Sequence, residues 1–291
     1  MVNEIITTNQ NVKALLNKTQ NLMNITKGIL VDKNKDDMWI QKLFQWADEN
    51  DVPNYEWIED EDFDEGGYYN GIPRDKTTLC SLIELRLNDL NIIELPNEIF
   101  NLIKLENLTI KNCGLESLSP NIKKLKKLNN LYLAKNSLSK LPNELKYLSN
   151  LSVIHLHTNR FNKFPEVLCA MYSLTHICIG TNNLKELPLK LFELKNLEEL
   201  LLGENQLTYL PKEISKLINL KDLIIHDNYF EDLPEEIMKL KNLKFLTLID
   251  MKQLLLTDKQ IKWVKELEEN DCNIYYDEDL FERINIDKIP F

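Results

Sequence analysis

The segment LEELLLGENQLTYLPKEISKLIN, residues 197–219, decides the fold. Leu197 is followed by Leu200 three places on and by Leu202 two places later. The L-x-L part has period 2, which predicts a short strand with both leucines on one face. Asn205 comes next; a buried amide there can bond backbone groups that a turn outside the sheet leaves unpaired. Pro211 lacks an N–H and has a fixed φ, so it suits a helix start or an extended turn. The remainder carries apolar residues three apart, as a short helix or 3₁₀ segment would.

The same unit recurs on both sides. Leu82, Leu105, Leu128, Leu151, Leu174, Leu197, Leu220 and Leu243 stand 23 residues apart without insertion or deletion. The second position reads Leu85, Leu108, Leu131, Ile154, Ile177, Leu200, Leu223 and Leu246, and the third Leu87, Ile110, Leu133, Leu156, Ile179, Leu202, Ile225 and Leu248. Asn136, Asn159, Asn182, Asn205 and Asn228 hold the amide position. Pro96, Pro142, Pro165, Pro188, Pro211 and Pro234 hold the proline position, and Ser119-Pro120 shifts it by one place in the second unit. Leu90, Cys113 and Met251 replace the asparagine near the two ends, where a unit lacks a neighbour on one side.

This pattern, LxxLxLxxNxLxxLPxxIxxLxx, resembles the leucine-rich repeat family, in its 23-residue LP-containing form similar to bacterial and intracellular Ras-group repeat proteins. The resemblance covers about 82–256. It implies an α/β solenoid with a parallel sheet on a concave face and short helices or 3₁₀ segments on the convex face. It also implies protein binding on the concave face, usually without catalysis, and names no partner.

Three regions follow. Residues 1–81 are expected to form a helical N-terminal cap, 82–256 about eight repeats, and 257–291 a C-terminal cap, because a solenoid end otherwise exposes apolar side chains and a strand edge. Val12, Leu15, Leu16, Thr19, Leu22 and Met23 have helical spacing. So do Trp39, Ile40, Leu43, Phe44 and Ala47, with Asp36 or Asp37 as N-cap and Pro53 ending the helix. The stretch from Glu56 to Glu65 holds seven carboxylates and reads as a solvated acidic loop, with a docking strip for a basic partner as the alternative. Asp258 is placed to cap a helix through Glu269 with Ile261, Val264 and Leu267 on one face, and 273–276 to add a last strand. Cys272 is followed by Asn and Ile, not by the C-x-D of bacterial repeat proteins that carry a ubiquitin-ligase domain.

Composition removes several function classes. Lys plus Arg is 35 against 46 Asp plus Glu, a formal charge of −11, which argues against nucleic acid as the main partner. The 7 glycines form neither G-x-G-x-x-G nor G-x-x-x-x-G-K-[ST], so a glycine-built phosphate cradle is excluded. No apolar run reaches the ~18 residues that span a bilayer, and the first residues lack a secretory signal pattern. The 5 cysteines have no CxxC spacing and read as free thiols in a reducing compartment. A monomeric cytoplasmic protein is expected, with secretion without a classical signal as the alternative. Richness in Lys and Asn fits a bacterial, AT-rich genome.

The residues that alternate with the buried leucines face outward. Their central row runs Arg86, Thr109, Tyr132, His155, Cys178, Leu201, Ile224, Thr247. At a strand spacing of about 4.8 Å, Tyr132 to Ile224 forms an apolar or amphipathic stripe about 19 Å long. One flanking row runs from Glu84 through His176, Glu199 and Asp222 to Phe245; the other runs from Asn88 through His157, Gly180, Gly203 and His226 to Ile249. A fourth, at the rim, includes Glu204, Asp227 and Asp250. Seven acids against three bases give this face a charge of about −4, with five of the seven acids gathered in the last four repeats. The expected partner is a protein or peptide with an apolar centre and a basic flank. Tyr132, His155, His157, His176, Cys178, Leu201 and Ile224 are the contact candidates, Glu199, Glu204, Asp222 and Asp227 the steering acids, and Gly180 and Gly203 leave room for a bulky side chain.

Other readings stay open. A leaderless bacterial effector or regulator would use the same face on a host signalling protein. His155, His157, His176 and Cys178 have the chemistry of zinc ligands, but a flat sheet points side chains parallel and tetrahedral zinc needs convergence. His155 with Cys178 has the composition of a nucleophile–base pair, but lacks a pocket, an oxyanion donor cluster and an orienting acid. No catalytic residue, metal or cofactor is therefore assigned.

Overall fold

The computed structural model describes residues 37–59, 67–278 and 280. The chain divides into two compact units, Met1–Trp46 and Ala47–Phe291. Helix α1 spans 37–49 and buries Ile40, Leu43 and Ala47, with Trp39 and Phe44 half-buried, as their spacing requires. It ends before Pro53. Asp37 is already helical, so it is not the N-cap, while Asp36 and the helical pattern of 12–23 lie outside the described residues.

The first unit contributes only α1 residues 37–46 to the described part. The second opens with an antiparallel hairpin, β1 (Glu56–Glu59) and β2 (Gly67–Asn70). The start of the acidic stretch is thus a strand, not a loop, and 60–65 lie outside the described residues. A single turn, α2 (Lys76–Leu79), is capped by Asp75, whose carboxylate accepts from the Thr78 N–H at 2.8 Å.

A nine-stranded parallel sheet follows in strict chain order: β3 (Glu84–Asn88), β4 (Asn107–Lys111), β5 (Asn130–Tyr132), β6 (Val153–His155), β7 (His176–Cys178), β8 (Glu199–Leu201), β9 (Asp222–Ile224), β10 (Phe245–Leu248) and β11 (Asn273–Tyr276). Pairing brings equivalent repeat positions level, so Leu200 sits opposite Ile177 on one side and Leu223 on the other. These leucines and isoleucines have no exposed surface and form one continuous core column.

Behind the strands, each return from β3 through β10 carries a five-residue 3₁₀ segment, such as Asn143–Tyr147 or Lys212–Lys216. Pro142 and Pro211 stand at its N-cap with φ of −70° and −59°, where a missing N–H costs nothing. In the second unit Ser119 takes that place, its hydroxyl accepting from the Asn121 N–H at 3.2 Å, and Pro120 becomes the first helical residue.

The residue before each amide position leaves the strand in a left-handed conformation. Asp89, Asn112, Lys135, Thr158, Thr181, Glu204, Asp227 and Asp250 have φ between 50° and 58°. The expected fourth outward row is therefore a column of tight turns. Such φ values are strained for β-branched Thr158 and Thr181. The turn persists because the buried asparagine beside it binds the backbone. Asn136 accepts from the N–H groups of Cys113 and Leu115 at 3.1 and 3.0 Å and donates to the Ile110 and Leu133 carbonyls at 2.6 and 3.1 Å. Cys113 substitutes in part, its thiol donating to the Leu87 carbonyl at 3.1 Å.

The β3 edge of the sheet is bonded by the hairpin segment. At β3, Asn70 accepts from the Asn88 N–H at 2.9 Å and donates to its carbonyl at 3.2 Å, while the Gly71 N–H reaches the Arg86 carbonyl at 2.9 Å. At the other end, α3 (Asp258–Glu269) leads into β11. Thr257, not Asp258, is its N-cap: its hydroxyl accepts from the Gln260 N–H at 3.3 Å, and the Gln260 side chain accepts from the Thr257 N–H at 2.9 Å. The buried face of α3 includes Gln260 and Trp263 beside the expected Val264 and Leu267, with Ile261 only half-buried.

Candidate binding face

Strand pairing sets the outward side chains in straight rows. Tyr132 is level with His155, His155 with Cys178, Cys178 with Leu201, and Leu201 with Ile224. The stripe expected from alternation is thus brought together. Its members do not stand in open water, however. Cys178 is buried, at 8% exposure, and the other four are half-buried by their neighbours along the row. Tyr132 meets His155 edge to face with ring centres 4.8 Å apart, and His157 lies 6.5 Å beyond. Tyr275 on β11 continues the row past Thr247, with Phe245 5.1 Å away. Sequence reasoning ended the row one strand too early, because Tyr275 lies outside the 23-residue period.

Charge is distributed as the flanking rows predict, with added pairing. His176 lies 3.0 Å from Glu199, and His226 lies 4.0 Å from Glu204. Glu204 and Asp227 are exposed on the turn column, and Asp222 is half-buried on the sheet. Burial raises the Asp222 carboxyl above its ordinary range, against the pull of His176 and Lys221. The row is packed closely enough to desolvate it. The room expected beside Gly203 is also taken. A Cβ there would come within 2.5 Å of the His226 ring, and one at Gly180 within 2.9 Å of the Gly203 carbonyl oxygen.

The His/Cys cluster carries the wrong electrostatics for nucleophilic chemistry. Burial pushes the Cys178 thiol up, and Glu199 adds to the rise. Burial first, then His157 and His176, lowers His155 to about 4. A protonated thiol beside so weak a base is the reverse of an activated pair. Among the described residues, no group of three or more His, Cys, Asp or Glu is placed to hold a metal ion.

The His155 shift has a testable sign. The folded imidazole binds its proton at about 4, against an ordinary value of 6.5. Between those values the unfolded chain takes up the proton first, so stability is lost as pH falls from 6.5 toward 4. His155→Gln is expected to lose less stability than wild type over that window, by about 1–3 kcal/mol. Urea unfolding at pH 7 and pH 4 measures the difference. His157, also lowered by burial, and Asp222 act equally in both proteins. Parallel losses would show that His155 is not desolvated.

Two concavities bear on the choice of site. One, of about 470 Å³, lies over β3–β6 and includes Tyr68, Arg86, Asn88, Lys111, Tyr132 and His155 in its lining. Ala134 lines it between Lys111 and His157 of one outward row, and Tyr68 belongs to the hairpin and has no repeat signal. The other, of about 530 Å³, lies by α3 between Lys221 and Asn270. Its charges are largely satisfied, Lys221 by Glu198 at 2.6 Å and Lys241 by Glu266 at 3.6 Å, and it lies away from the outward rows.

Known structures share this architecture. An internalin, InlF, of Listeria monocytogenes is 21% identical over 69% of this chain and 64% of its own, with a TM-score of 0.56. A TDR receptor is 24% identical over 68% of this chain and 35% of its own, with a TM-score of 0.60. The chain therefore spans less than two thirds of either protein. No family model and no curated protein matches the sequence. The likeness is one of fold, and the fold is a leucine-rich repeat solenoid.

Proposed function

We propose that this chain is a non-enzymatic protein-binding module that grips a protein or peptide on the outward face of its sheet. The single observation that carries this reading is the row Tyr132, His155, Cys178, Leu201, Ile224, held level by strand pairing and followed by acids on the last repeats. A continuous amphipathic stripe across adjacent strands marks an interaction surface better than scattered apolar residues do. His157 borders its first half and His176 its middle. Glu199, Glu204, Asp222 and Asp227 call for a basic flank on the partner and steer its approach. A leaderless effector would use this same face and differ only in its partner. No described helix is long and apolar enough to cross a membrane.

The test is capture by wild type and by Leu201→Glu or Ile224→Glu. Each variant puts a carboxylate where the partner must remove water, and capture is expected to be lost. Both side chains are half-buried and point away from the leucine core, so unfolding is expected to shift by only about 1 kcal/mol. Asp222→Ala and Asp227→Ala are expected instead to slow association and flatten its salt dependence. Equal capture by the glutamate variants would sink the reading.

A further inference from the structure

The hairpin ahead of the sheet carries a second exposed surface, at the point where the acidic stretch begins. Pairing sets Trp57 of β1 opposite Tyr69 of β2, and alternation puts Glu59 on the same side as Trp57. Tyr55 stacks on Tyr69 with ring centres 4.7 Å apart, and Trp57 meets Tyr69 edge to face at 5.0 Å. A Cβ at Gly67 would come within 2.9 Å of Trp57 Cζ2, so the bare backbone there lets the indole lie against the strand. Tyr68, on the other side of β2, has the Arg86 guanidinium 5.0 Å from its ring centre. Trp57 and Tyr69 nevertheless remain 48% and 47% exposed. So much ordered aromatic surface in water marks an interaction site.

Chemistry narrows what covers these rings. Glu56 and Glu59 are exposed, and neither has an ion pair among the described residues. The guanidiniums of this region are committed, Arg74 to Asp48 at 2.9 Å and Arg86 to Glu84 at 2.7 Å. An aliphatic or aromatic occupant would strip water from Glu59 without pairing it. A carboxylate would meet like charge. A cationic side chain suits both parts, its charge facing the carboxylate and its body lying on the rings. Backbone sets the form of the partner. Among the described residues β2 is the only strand beside β1, so the outer edge of β1 is open to a third strand. Alternate side chains of an extended segment share a face, as Trp57 and Glu59 do. We infer that this hairpin docks an extended segment of a partner protein with cations at alternate positions, arginine preferred to lysine because its planar group stacks on aromatic rings. The surface uses no residue of the outward row.

The probes are acetylated, amidated peptides of sequence RTRTR, KTKTK and ETETE. Each is titrated into the full chain and followed by NMR at the Trp57 indole N–H and the amides of β1 and β2. RTRTR is expected to shift these signals and to bind roughly threefold tighter than KTKTK, while ETETE leaves them in place. Trp57→Ala is expected to weaken RTRTR binding roughly two- to fivefold, the value of one exposed ring–cation contact. Glu59→Gln, which keeps the rings, is expected to weaken it as well and to flatten its salt dependence. Equal binding of RTRTR to wild type and Trp57→Ala overturns the inference, because the peptide then sits elsewhere on this acidic chain. Shifts of the Trp57 signal by ETETE as large as those by RTRTR overturn it too, as does a wild type that binds neither basic peptide.

Discussion

Leu200→Ala is expected to lower the free energy of unfolding by about 2–5 kcal/mol. Leu200 has no exposed surface and sits in the column between Ile177 and Leu223. Close packing on both sides leaves little freedom to collapse into the space vacated, so the cavity cost adds to the lost burial. In a solenoid each repeat touches only its neighbours, and this change weakens two interfaces at once. Leu201, one residue on, is the internal control. It lies on the opposite face and is half-buried, so Leu201→Ala is expected to cost under about 1.5 kcal/mol. Urea unfolding followed by circular dichroism gives both values. Equal losses for the two variants would mean that the alternation has been assigned to the wrong faces.

That contrast rests on what was legible in the sequence. Positions 200 and 202 differ from 201 because period 2 sends them to opposite sides, and repetition every 23 residues makes the inference redundant. The proline and asparagine positions were legible for the same reason: each has a backbone role that recurs. Interactions that occur once left no such trace. Tyr68 and Asn70 belong to a hairpin outside the period, yet Asn70 pairs the edge of β3 and Tyr68 walls the concavity over β3–β6. Thr257 displaced Asp258 as cap because the Gln260 side chain completes a reciprocal pair with it. The turn column was misread as a rim of the sheet, since Thr158 and Thr181 give no sign of a positive φ. Depth on the outward face was also hidden. Alternation gives direction but not how closely neighbours stand, so the burial of Cys178 and the filling of the space at Gly203 by His226 required coordinates.

The amide ladder supplies the second large effect, and it separates hydrogen bonding from shape. Asn182 is 8% exposed, and its Oδ1 accepts from the Phe161 N–H at 3.0 Å. Its Nδ2 donates to the carbonyls of Leu156, Ile179 and Gly180 at 3.1, 3.1 and 3.0 Å. Those carbonyls also receive Asn159 Nδ2, Asn205 Nδ2 and the Thr158 N–H, so Asn182→Ala chiefly orphans the Phe161 N–H. The expected loss is about 1–3 kcal/mol. Asn182→Asp keeps the shape and the acceptor but sets a carboxylate against three carbonyl oxygens. A buried charge without a counterion costs about 3–5 kcal/mol, so the aspartate variant is expected to be the less stable of the two at pH 7. The carboxyl in the folded variant is then raised above its unfolded value of about 3.9. Its protonated form can donate again, so the deficit relative to wild type should shrink as pH falls through that raised value. Unfolding of the three proteins at pH 7 and pH 4.5 decides the matter. If the aspartate variant matches wild type at pH 7, donation by this amide does not hold the left-handed turns in place.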